Sequence, residues 1–113
     1  MLLFSVLSCE REILVENEIR YEVESEYYYP ILIQWTGSDG GISSKNLIDS
    51  EWKQESSNKF SYSFKTKKKL NIFFQGENPN SLSDVKIRLY VNDELVQSAE
   101  ANSQLKAIIN YQL

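Results

Sequence analysis

The sequence predicts an all-β protein built from antiparallel sheets packed face to face. Apolar and polar residues alternate with a period of two through most of the chain, the signature of strands with one wet face. Turn signals separate these runs at roughly ten-residue spacing, the rhythm of a sandwich or small barrel. No stretch carries an apolar helical period of useful length.

Taken in order, Ile19, Tyr21 and Val23 alternate with Arg20, Glu22 and Glu24 and form the first predicted strand. Pro30 lacks a backbone donor and suits a strand entry before the run 31–35, Ile-Leu-Ile-Gln-Trp. The segment 36–41 reads as a turn, with glycine available for positive φ. A short, irregular edge strand is expected over 42–48. Trp52 falls in a polar connection, and 54–58 is the most loop-like stretch. Phe60, Tyr62 and Phe64 predict the next strand, Lys67 to Lys69 a charged turn, and Leu70, Ile72 and Phe74 its return. A loop is expected over 76–84. Val85, Ile87, Leu89 and Val91 give the cleanest alternation in the chain. Asn92-Asp93 signals a two-residue hairpin, because both residues tolerate positive φ. Returning strands are expected over 94–98 and 106–112. The sum is an immunoglobulin-like β-sandwich of seven to eight strands, with no internal repeat.

The 113 residues fit one domain. A chain of this size buries roughly two-thirds of its unfolded surface. With no His, neither a Ser-His-Asp nor a Cys-His apparatus nor a His-ligated metal site can form. One Cys allows no internal disulfide and no thiolate zinc cluster. The net charge of -4 argues against nucleic acid as a partner. No EF-hand spacing links Asp39, Asp49, Asp84 and Asp93. Paired carboxylates for glycoside hydrolysis would need a deep cleft, which a sandwich this small has little room to form. The expectation is a protein that is not an enzyme and carries no cofactor or metal.

The amino terminus carries the sharpest signal. Residues 1–8, MLLFSVLS, are apolar and uncharged, and polarity begins abruptly after Cys9 with Glu10, Arg11 and Glu12. The run is too short to cross a bilayer, which takes about 20 residues. It has the look of the end of a secretory h-region. Val6-Leu7-Ser8-Cys9 resembles a bacterial lipobox, in which a small residue precedes the cut and the thiol accepts diacylglycerol. A basic n-region is missing, so Met1 reads as an internal methionine with the true start upstream. The organisation expected is a signal-peptide remnant over 1–8, an acidic tether over 9–17 and a sandwich over 18–113. Cys9 would be lipidated and would anchor the mature chain to a membrane. The competing reading makes Cys9 a buried thiol on an ordinary strand of a soluble domain. Segment 10–26 holds seven Glu against Arg11 and Arg20, a net of -5, whereas 27–113 has a net of +1. Acidic residues directly after such a cysteine, here Glu10 and Glu12, are reminiscent of the surface-export signal of some Bacteroidetes lipoproteins.

The order of motifs resembles the small β-sandwich module of the mycobacterial membrane protein small (MmpS) family and similar Bacteroidetes lipoproteins. The resemblance rests on Tyr21-Glu22-Val23, on Trp35-Thr36-Gly37-Ser38-Asp39-Gly40, on Trp52, on the strand from Leu70 to Gln75, and on the hairpin Leu89-Tyr90-Val91-Asn92-Asp93-Glu94-Leu95-Val96. It covers 19–113. Ser50-Glu51 stands where the family has Leu-Pro before the Trp, and the hairpin lacks its Gly. What the resemblance implies is a membrane-tethered sandwich outside the membrane, an accessory to an export complex. No functional residue transfers from it.

Two surfaces are candidates for binding. Tyr27, Tyr28 and Tyr29 could form an aromatic platform for a glycan or a protein, or could split between core and sheet edge. Lys65, Lys67, Lys68 and Lys69 could meet anionic headgroups or an acidic partner, or could be a solvated hairpin tip that deters edge aggregation. Trp35 and Trp52 are expected as core anchors, since stacking on a sugar would need two exposed, coplanar rings. The function expected is that of a non-enzymatic lipoprotein of the bacterial cell envelope, placed on the outer membrane, working through an envelope protein complex. A glycan- or ligand-binding module is the alternative.

Overall fold

The computed structural model describes residues 15–26, 31–79, 84–101 and 106–113. Nine strands and one turn of 3-10 helix lie among them: β1 (Asn17–Ser25), β2 (Leu32–Thr36), β3 (Ile42–Asn46), η1 (Leu47–Asp49), β4 (Lys53–Ser56), β5 (Lys59–Thr66), β6 (Asn71–Glu77), β7 (Val85–Val91), β8 (Glu94–Glu100) and β9 (Lys106–Gln112). They form two antiparallel sheets, of order β4-β5-β1-β7-β8 and β3-β2-β6-β9. The expected β-sandwich is what the chain forms.

The topology is of immunoglobulin type. That fold pairs its strands as A-B-E-D on one sheet and as G-F-C-C′ on the other. Here β7-β1-β5-β4 fills the first order and β9-β6-β2-β3 the second. The place of strand A is taken by β7, which comes late in the chain and brings the hairpin partner β8 with it.

Alternation decides which residues enter the core. Ile19, Tyr21 and Val23 of β1, Ile33 and Trp35 of β2, Ile72 and Phe74 of β6, Val85, Ile87 and Leu89 of β7, and Ala107 and Ile109 of β9 are all buried. Trp52, from the connection before β4, joins them, so both tryptophans are core anchors, 4% and 5% exposed. At the centre, Tyr21 lies 4.8 Å from Phe74 and stacks on Trp52 at 6.0 Å, and Trp52 meets Trp35 edge-on at 5.3 Å. An immunoglobulin domain bridges its B and F strands with a disulfide packed on a strand-C tryptophan. Here Tyr21 on β1, Phe74 on β6 and Trp35 on β2 occupy those strands with rings alone.

Two backbone features close the sandwich. A Cβ on Gly76 would stand 2.9 Å from Ile87 Cγ2 and 3.0 Å from Val85 Cγ1, so only glycine lets β6 approach β7 this closely. Asn92 and Asp93 adopt φ of 52° and 66°, as a two-residue hairpin turn between β7 and β8 requires.

The structure has nine strands where seven to eight were expected, and the edge strand expected over 42–48 ends at Asn46, where η1 begins. Lys53–Ser56 is a strand within the stretch read as connection and loop. All four of its residues are exposed, so it pairs with β5 as an edge strand that buries no side chain, with a register shift between Gln54 and Ser56. Strand β6 also runs on through Gly76 and Glu77, where a loop was expected, because both pair with β9 and β2.

Candidate binding surfaces

The outer faces of the two sheets are built from opposite chemistry. On the five-stranded sheet, Arg20, Glu22 and Glu24 of β1 face Lys86, Arg88 and Tyr90 of β7 in register. Glu22 is only 6% exposed. Its carboxylate accepts from Arg88 Nη1 at 2.8 Å and lies 3.6 Å from Arg20 Nη1. The same Arg88 nitrogen reaches Glu24 at 2.9 Å. The Arg20 guanidinium sits 3.9 Å above the Tyr90 ring, a cation–π contact. Partial burial works against the Arg88 charge, but its bonds to Glu24 and Glu22 outweigh this and hold its pKa above the ordinary value. Beside them Ser61 Oγ donates to Glu55 Oε2, a bond that lowers the Glu55 pKa. The four charges at the centre of this face, Arg20, Glu22, Glu24 and Arg88, pair with one another.

The outer face of the four-stranded sheet has almost no charge. Its central row is Ser44 of β3, Gln34 of β2, Gln75 of β6 and Ile108 of β9. The next row toward one end holds Ile42, Thr36, Phe73 and Asn110, and the row toward the other holds Asn46, Leu32, Glu77 and Lys106. Glu77 and Lys106 oppose each other and are the only ionisable residues in these rows. Ile108 and Ile42 are large and apolar yet 46% and 60% exposed, and Ile48, in η1 after β3, is 43% exposed. Phe73 borders a shallow hollow of about 300 Å³ shared with Asn71, Ile72, Asn110, Tyr111 and Gln112.

The lysines singled out in the sequence gather at one end of the sandwich. Lys65 is exposed near the end of β5, and Lys67, Lys68 and Lys69 are exposed in the turn to β6. Cys9 and the Tyr27–Tyr29 triplet lie outside the described residues. At the opposite end a cleft of about 460 Å³ is lined by Glu24, Ser25, Glu26, Ser57, Asn58, Asp84 and Lys86. Among the described residues no group of three or more His, Cys, Asp or Glu is arranged to hold a metal ion.

The amide-rich face was not among the sites picked from sequence. Its members come from four strands spread over 32–112, and alternation marks them only as outward-facing. The signal in the sequence was the scarcity of charge on the outward positions of β2, β6 and β9, Glu77 and Lys106 alone, set against the charged outward positions of β1 and β7. No protein-family model matches the chain, and no curated protein matches it.

Proposed function

We infer that the protein is a non-enzymatic binding domain, tethered to a bacterial envelope membrane through a lipid on Cys9, that engages another protein with the outer face of its four-stranded sheet. The observation that carries this reading is the contrast between the two faces. One pairs its central charges around Glu22, and the other sets exposed Ile108 and Ile42 beside half-buried Phe73 and Gln34 and buried Gln75. Interface cores are depleted of charge and built around apolar and aromatic groups, with amides able to bond across.

The face measures roughly 15 by 20 Å from strand spacing and rise. That is less than half of the about 800 Å² that one partner of a stable complex buries. A partner must therefore wrap onto the β3 edge, where Ile42 is exposed. A protein fits better than a glycan. Sugar stacking calls for exposed, coplanar rings, whereas Trp35 and Trp52 are buried and Phe73 is the single ring in the three rows.

Two measurements test the reading. Growth with an alkyne-bearing fatty acid should label the wild-type protein and not Cys9→Ser. Ile108→Lys should lose a protein that co-purifies from detergent-solubilised membranes, while Ser63→Lys, on the charged face, keeps it. Equal behaviour of the two lysine variants would contradict the assignment of the face.

A further inference from the structure

The lysine turn lies beside the point where the chain enters the sandwich. Thr66, the last residue of β5, pairs with Asn17, the first of β1. Thr66 Oγ1 accepts from the Lys68 N–H at 3.0 Å, which folds the turn and leaves Lys67, Lys68 and Lys69 exposed. The β7–β8 turn closes the same corner: Asn92 Oδ1 accepts from the Glu18 N–H at 2.8 Å, and Asn92 Nδ2 donates to Asn17 Oδ1 at 2.9 Å. Every ion pair among the described residues belongs to Arg20 or Arg88, so none involves these lysines.

Cys9 precedes Asn17 by eight residues. Fully extended, those eight residues span at most about 28 Å. A lipid on Cys9 would hold this end of the sandwich close to the bilayer while leaving its orientation free. We propose that Lys67, Lys68 and Lys69, with Lys65 behind them, rest on anionic lipid headgroups of the membrane that holds Cys9. The sandwich then stands end-on, its strands along the membrane normal and the amide face open sideways to its partner. This rests on the tethered reading of Cys9. It adds the second signal, a basic patch, that fixes the pose of a lipid-anchored domain. Each lysine at an anionic surface strengthens contact roughly fivefold, and the attraction fades beyond about 8 Å at physiological salt. The rival occupant of the turn is the chain's own acidic tether, Glu10, Glu12 and Glu16.

The test couples the full chain through Cys9, its single thiol, to maleimide lipids in vesicles of phosphatidylcholine, with or without phosphatidylglycerol. Acetylation rates of individual lysines are then read by mass spectrometry. Lys67, Lys68 and Lys69 should react several-fold more slowly on the phosphatidylglycerol vesicles, and high salt should erase the difference. Lys59 and Lys86, which pair with Glu24 near the other end of β1, should not change. In Lys67→Gln/Lys68→Gln/Lys69→Gln, the protection of Lys65 should disappear. Equal rates on both vesicle types overturn the proposal. So does slowing already present without vesicles and relieved by Glu10→Gln/Glu12→Gln/Glu16→Gln, which assigns the turn to the tether. The coupling is chemical, so this result stands apart from fatty-acid labelling in cells, which alone decides whether Cys9 is the natural anchor.

Discussion

The Tyr21 hydroxyl donates a 2.5 Å hydrogen bond to the Thr36 carbonyl, joining β1 of one sheet to β2 of the other through the middle of the core. Thr36 is fixed in turn by its Oγ1, which accepts from the Phe73 N–H at 2.9 Å. A side chain that fills the core with its ring thus also ties three strands together, and Phe73 carries that tie to the uncharged outer face.

Tyr21→Phe removes the bond and leaves a buried carbonyl short of a donor, which should cost about 1–3 kcal/mol in urea unfolding at neutral pH. Burial, with Tyr62 adding, pushes the Tyr21 phenol well above the usual tyrosine range. The folded state therefore keeps its proton where the unfolded state, titrating near pH 10, gives it up. The stabilisation is complete below about pH 10 and lost above it, at up to about 1.4 kcal/mol per pH unit. Stability measured between pH 9 and 11.5 should fall more steeply in the wild type than in Tyr21→Phe.

Gly76→Ala should destabilise the fold by about 1–3 kcal/mol, because its Cβ meets Ile87 and Val85 inside contact distance in a packed core. Chemical denaturation measures it directly. An effect within a few tenths of a kcal/mol would mean that β6 and β7 have room to part.

Trp52 buries its indole Nε1 with no partner among the described residues. Trp52→Phe discards that unpaired donor and keeps a stacking ring for Tyr21 and Tyr62, so it should cost under about 2 kcal/mol. Trp52→Ala should cost about 3–5 kcal/mol. Equal costs would show that the nitrogen is paired in solution.

Glu22→Gln and Arg88→Met should each destabilise, and their double mutant by less than the sum. A coupling of about 1 kcal/mol is expected from a charge-assisted bond that is part-exposed on the arginine side. The coupling should shrink in high salt. Strict additivity would remove the argument that this face is internally satisfied.

Alternation made most of the framework legible. β1 and β7 could be read residue by residue because each buries every second side chain, and Asn92-Asp93 forms the turn that its chemistry predicts. β4 was hidden because Lys-Gln-Glu-Ser has no apolar period and buries none of its side chains. Gly76 resembled the start of a loop, and only the neighbouring sheet shows why a glycine belongs in that strand. The lysines were visible as a cluster, but their place beside Asn17 depends on the register of β5 with β1. The amide face depends on pairings between residues about 40 apart, such as Gln34 with Gln75, which no local pattern encodes.

Site-specific photo-crosslinking in cells tests the central claim most directly. A benzoyl-phenylalanine at Ile108 should give one discrete protein adduct from the membrane fraction, and the same group at Ser63 should give none. Adducts of equal yield from both positions, or none from Ile108 in labelled, membrane-bound protein, would contradict the assignment of the four-stranded face as the binding surface.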